Sequence, residues 1–175
     1  MLIILPLRIL REDVMELSHY SACPLREVVF CPQIPDSYKP SGLWVSVDGE
    51  GDWPSWCARN GVYHYCENTV RSIVTLADDA NILVVNTSAK LSALDKEYGF
   101  AFKNFGKLID WFRFAQDYDG LIIAPLQGKK DYFWYTGWDC NSGCIWHPRA
   151  IKGISLHPFD ARPKGPSVSI PVPAP

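Results

Sequence analysis

Short apolar runs, each closed by a polar, glycine- or proline-bearing turn, recur along the chain, and this pattern predicts many short strands with a few helices between them. Residues 1–10 (Met-Leu-Ile-Ile-Leu-Pro-Leu-Arg-Ile-Leu) read as a first strand, and Arg11-Glu12-Asp13 as a turn. Val14 to Tyr20 fits either a strand or a short helix. A loop carrying Pro24, Pro32, Pro35 and Pro40 follows, interrupted by Val28-Val29-Phe30, before the strand Leu43-Trp44-Val45-Ser46. Asp52 to Asn60 has the marks of a short helix, with Asp52 as N-cap and Gly61 past its end. Ser72 to Leu76 and Asn81 to Val85 are strands by β-branched content, and the turn Ala77–Ala80 is short enough for a hairpin. Ser88 reads as the cap of a helix through about Tyr98, where the polar and apolar positions have helical spacing. Leu108, Ile109, Trp111, Phe112 and Ala115 form an apolar face that predicts a helix over 105–118, ended by Asp119-Gly120. Leu121–Pro125, Tyr132–Trp138 and Cys144–Trp146 read as strands, with Ile151–Leu156 as an extension.

Strands and helices mix without a regular βαβ repeat, which places the chain in the α+β class. Residues 1–159 are read as a single globular domain. Residues 160–175 are rich in proline and serine and read as an extended or disordered tail, one able to recruit a partner.

Composition narrows the function classes. A chain of 175 residues with 47% hydrophobic content supports one domain with a core of its own. A net charge of −2 supplies no basic field for nucleic acid, so any such contact would be local, at Lys39, Arg59, Lys129 or Lys130. The apolar N-terminus is too short to span a bilayer and lacks a basic lead and a cleavage site. Six cysteines without a secretion signal fit a reduced, cytoplasmic protein.

Chemistry concentrates in Tyr38-Lys39-Pro40-Ser41-Gly42-Leu43-Trp44-Val45-Ser46. Gly42 allows close backbone approach, Trp44 offers an aromatic face, and Ser46 a hydroxyl. Trp53 and Trp56 follow. Cys140, Cys144 and His147 offer three zinc donors, but a second ligand pair at zinc spacing is missing, so metal is not expected and a zinc-stabilised interaction domain is a minor alternative. No Gly-x-Ser-x-Gly elbow, phosphate loop or dinucleotide glycine signature occurs.

The order of pieces over about residues 15–155 resembles the ADP-ribosyltransferase superfamily, whose members use NAD. His19 matches that family's early-strand residue on the adenosine side, and Ser46 its hydroxyl residue beside the nicotinamide. The strands around Val74-Thr75-Leu76 and Ile82–Val85, a helix, the turn Tyr118-Asp119-Gly120 and the strand Cys144-Ile145-Trp146 follow in the family's order. The resemblance implies an α+β domain of split antiparallel β-sheets with a few packed helices. It also implies transfer of ADP-ribose from NAD to a protein, nucleic-acid or small-molecule acceptor. His19, Tyr20, Lys39, Gly42, Leu43, Trp44, Ser46, Trp53 and Trp56 would hold NAD, and Asp139, Ser142, Ser46 and His19 would serve catalysis. One departure stands out: where the family places a glutamate, no Glu is near, and Asp139 is the closest carboxylate. The alternative is a nucleotide- or peptide-binding module of the same fold without turnover.

Overall fold

Two strands that touch over only two residue pairs set the architecture. β1 (Leu17–Ser21) and β2 (Leu43–Val47) are antiparallel, with Leu17 opposite Val47 and Ser18 opposite Ser46, and pair no further. The computed structural model describes residues 15–65, 69–103, 106–128 and 132–158. The expected first strand at 1–10, the turn at 11–13 and the tail at 160–175 lie outside the described residues, as do Cys66, Lys129 and Lys130.

The remaining elements follow in order. After β2 come α1 (Trp53–Arg59), β3 (Val70–Leu76), β4 (Ile82–Val85) and α2 (Ser88–Tyr98). Then come β5 (Gly99–Ala101), β6 (Lys107–Ile109), α3 (Trp111–Asp117) and β7 (Gly120–Ile123). β8 (Ser142–Ile145) and β9 (Ile151–Pro158) close the domain. Seven strands form one sheet in the order β4-β7-β8-β2-β1-β3-β9, and β5-β6 form a separate ribbon. Every neighbouring pair is antiparallel except β4 with β7. The α+β class expected from sequence holds.

The short β1–β2 seam divides the sheet into β4-β7-β8-β2 and β1-β3-β9. β2 is anchored to β8 over four pairs, from Leu43 opposite Ile145 to Ser46 opposite Ser142. β1 is anchored to β3 over five, from Leu17 opposite Val74 to Ser21 opposite Val70. Past Ser18 and Ser46 the two strands are therefore held by different neighbours, and a wedge opens between them. Its mouth lies between the C-terminal end of β1 and the segment that leads into β2.

Because strand side chains alternate between faces, the sheet has two apolar sides. One buries Leu17, Leu43, Val45, Val47, Ile122 and Ile145. The other packs Leu121, Ile123 and Cys144 against α2 and α3 through Leu91, Leu94, Trp111 and Phe114. Trp111, Phe114, Trp134 and Trp146 are fully buried in this second layer, and burial of side chains that large stabilises by about 2–3 kcal/mol each. The Trp111 indole donates to Ser37 O at 3.0 Å and that of Trp146 to Tyr118 O at 2.8 Å, so neither buried N–H is left unsatisfied.

Four local expectations are corrected. The predicted 105–118 helix is a strand, β6, followed by α3, with Asp110 capping between them by accepting from Arg113 N at 2.9 Å. β3 and β4 do not form a hairpin: β4 runs parallel to β7 at the far edge of the sheet. Residues Phe133–Gly137 form a 3-10 helix rather than a strand. The cap of α2 is Thr87, one residue before the expected Ser88. Residues 17–21, open between strand and helix in the sequence, are β-strand because they complete the ladder with β3. Among the described residues no helix is long and apolar enough to cross a membrane.

Candidate functional site

A cleft of about 130 Å³ fills the wedge, lined by Ser18, His19, Tyr20, Trp44, Val45, Ser46 and Trp53. Five of these, His19, Tyr20, Trp44, Ser46 and Trp53, are residues that the sequence nominated from three separate segments. Register explains the gathering. Ser18, Ser46 and Ser142 lie directly opposite one another across β1, β2 and β8, so Tyr20 and Trp44, two residues along their strands, share their face.

The His19 Nδ1 lies 2.8 Å from Trp44 O. A carbonyl only accepts, so Nδ1 donates to it, and Nε2 is the ring nitrogen left to meet a ligand hydroxyl. Ser46 is buried, and its Oγ accepts from Trp53 N at 2.9 Å. That bond uses one acceptor site and leaves the hydroxyl proton able to donate. It also fastens the start of α1 to β2. Asp52, 2% exposed, caps the same helix by accepting from Ser55 N at 2.9 Å. Trp53 is thus fixed at the cleft wall from two sides. Its ring stacks on Trp56 at 5.1 Å and 12°.

Tyr20 donates weakly to Asp48 at 3.4 Å, and burial raises its pKa, followed by the nearby Asp48 charge. Beneath it lies a network that the sequence reading missed. Ser18 Oγ donates to Asp48 at 2.5 Å, and Arg71 donates to Ser18 Oγ at 2.8 Å, to Asp48 at 2.8 Å and to Glu16. Burial pulls the Arg71 pKa down, but its hydrogen bond to Asp48 and the surrounding negative charge leave it raised overall. The signal was present in the alternation Leu17-Ser18-His19-Tyr20, which sets a small polar residue on the face of Tyr20. Its partners on two other segments become visible only in three dimensions.

Other nominated residues have different placements. Lys39 sits over the Trp44 ring, its Nζ 5.0 Å from the ring centre. Gly42 packs tightly against β8: its φ is 152°, and a Cβ there would meet Ile145 O at 2.5 Å. Leu43, opposite Ile145, belongs to the apolar core. Ser142 is buried opposite Ser46 and donates to Cys140 O at 3.0 Å. Asp139 is exposed and is not among the residues that line the cleft. Its neighbour Asn141 ties the turn before β8 to the loop before α1, donating to Glu50 O at 2.8 Å and, through its backbone, to Gly51 O at 2.9 Å. Tyr135 is buried and donates to Gln127 O at 2.8 Å.

Cys140, Cys144 and His147 do not converge. The Cys144 thiol faces Pro40 O at 3.8 Å, while His147 packs on Phe30 and accepts from Arg149 N. Among the described residues, no group of three His, Cys, Asp or Glu side chains is placed to hold a metal ion. Burial pushes the Cys140 thiol up to about 11 and raises Cys144 further, so neither is a nucleophile at neutral pH.

A second cavity of about 180 Å³, lined by Asp79, Asn81, Asp119 and Arg149, lies elsewhere. Asp119 is already engaged there, accepting from Arg149 at 2.9 Å and from Asn81 N at 3.3 Å. Compared with protein-family models, with curated proteins and with solved structures, the chain matches none of them.

Proposed function

We propose that the wedge between β1 and β2 binds NAD and that the protein is an ADP-ribosyltransferase-like enzyme. The observation that carries this reading is the gathering of His19, Tyr20, Trp44, Ser46 and Trp53 around one cleft at the split of the sheet. Two half-buried indoles suit a flat ring, a hydroxyl beside them suits an amide, and the free nitrogen of His19 suits a ribose hydroxyl. A cavity of about 130 Å³ admits one ring, so the rest of a dinucleotide lies along the open mouth.

Breaking the nicotinamide–ribose bond leaves positive charge on the sugar, and a carboxylate beside it stabilises that charge. In this reading Asp139, on the turn that Asn141 fastens beside α1, supplies it when the ligand is bound. A second reading, nucleotide binding without turnover, draws on the absence of any carboxylate from the cleft lining.

Nicotinamide release from NAD separates the two. The enzyme reading expects release by the wild type and a loss of at least a hundredfold in Asp139→Ala, with unchanged melting temperature, the order expected when an electrostatic stabiliser is removed. Saturable NAD binding without release supports the binding module, and neither binding nor release overturns both.

A further inference from the structure

Lys39 lies in the segment that leads into β2, outside the cleft lining itself but against the ring of Trp44, which does line it. Its neighbours hold that segment firmly. Ser37 O accepts from the Trp111 indole at 3.0 Å, the Tyr38 hydroxyl meets Thr136 Oγ1 at 2.5 Å, and Tyr38 packs on Phe133. The Lys39 stem lies so close to Gly137 that a Cβ there would meet Lys39 Cε at 2.6 Å. Its ammonium rests 5.0 Å from the centre of the Trp44 ring, the same ring that lines the cleft. None of the ion pairs among the described residues uses Lys39, and no acceptor there takes its ammonium protons.

By contrast, Arg71 on the opposite side of the wedge is already committed to Asp48 and Glu16. Beside the Trp44 ring, Lys39 is therefore a half-buried cation with no ion-pair partner among the described residues. An ammonium so held is stabilised by an incoming anion and is selective for one that carries a ring.

We propose that Lys39 is the phosphate-binding residue of this cleft, and that the protein recognises a phosphate-bearing nucleotide rather than its nucleoside. The inference rests on the reading of the cleft given above and adds the charge class of the ligand. The ring enters between Trp44 and Trp53, and the phosphate chain leaves past Lys39.

Calorimetric titration with NAD, nicotinamide riboside and inorganic pyrophosphate tests this on the full chain. NAD is expected to bind the wild type about tenfold more tightly than the riboside, the order of one charge-assisted contact. Lys39→Met keeps the stem, and it is expected to abolish that advantage while leaving riboside binding unchanged. Lys39→Arg is expected to keep the advantage. Melting temperature checks that both variants fold. Equal weakening of NAD and riboside in Lys39→Met, or no weakening, would overturn the assignment and leave the cleft reading intact. Pyrophosphate binding that depends on Lys39, without binding of NAD or riboside, would keep the anion site and remove the nucleotide. No binding of any of the three would overturn both.

Discussion

Ser46 joins the cleft to the fold. Its Oγ accepts from Trp53 N, so Ser46→Ala removes a cleft-lining hydroxyl and strands a backbone donor at the start of α1. The expected cost is about 1 kcal/mol of stability, that of a lost cap. Chemical denaturation measures it, and a variant as stable as the wild type would show that water replaces the hydroxyl. Gly42 makes a sharper case, because a methyl group at that position has no room against Ile145 O, 2.5 Å away, and the φ of 152° disfavours any side chain. Gly42→Ala is expected to destabilise by about 2 kcal/mol. The sequence singles out Gly42 as a place of close approach, and the neighbour it approaches in the fold is Ile145. A glycine before a strand signals close approach, and only the β2–β8 register reveals that the approach is to Ile145. Among the seven tryptophans, Trp111, Trp134, Trp138 and Trp146 are core, Trp44 and Trp53 line the cleft half-buried, and Trp56, also half-buried, stacks on Trp53.

At the scale of elements, α1 is the piece whose position the cleft depends on most. Asp52 caps it from a buried site, accepting from Ser55 N and, at 3.4 Å, from Gly49 N. Asp52→Ala is expected to cost about 1–2 kcal/mol. It should also weaken NAD binding through the displaced Trp53, although Asp52 does not line the cleft. A binding constant unchanged by Asp52→Ala would show that Trp53 holds its place without the cap. This helix was legible because Asp52 and Gly61 mark its two ends. The 105–118 segment misled because two elements supply its apolar positions. Leu108 and Ile109 are buried from a strand, Trp111 and Phe114 from a helix, and Phe112 is 54% exposed. Asp110 was the readable boundary, since an aspartate before an apolar helical run is a cap. The β3–β4 turn misled for another reason. A short turn favours a hairpin, but Ala77 N donates to Ala150 O, and β4 pairs with β7 over four residues. Contacts distant in sequence decided that choice.

For the whole molecule, the groups that burial perturbs act in one direction. Tyr20, Tyr98, Tyr118, Tyr135, Cys140 and Cys144 all have raised pKa values, with burial as the largest cause. The folded state therefore holds protons that the unfolded chain releases near its ordinary thiol and phenol values, at about pH 9 to 10. The stability these groups contribute is fully present below that range and falls as pH rises through it. Melting temperature should be insensitive to these groups from pH 7 to 8 and drop steeply above about pH 9.5, the midpoint of those two unfolded values. A flat profile to pH 11 would contradict the burial of these groups. In the same way, Cys23 is exposed and should alkylate in the native protein at pH 8, while Cys140 and Cys144 stay unmodified until unfolding.

The split of the sheet is also a property of the whole chain. β2, β3 and β7 were readable as short strands while β1 stayed open between strand and helix, and the two-pair seam depends on β8 and β3 drawing β2 and β1 apart. Hydrogen–deuterium exchange with and without NAD tests the central claim most directly, because it reports where on the molecule the ligand sits. The account predicts NAD-dependent protection in Ser18–Tyr20, Trp44–Ser46 and the start of α1, with none around Asp79, Asn81, Asp119 and Arg149. Protection confined to that second cavity, or no protection at saturating NAD, would contradict it.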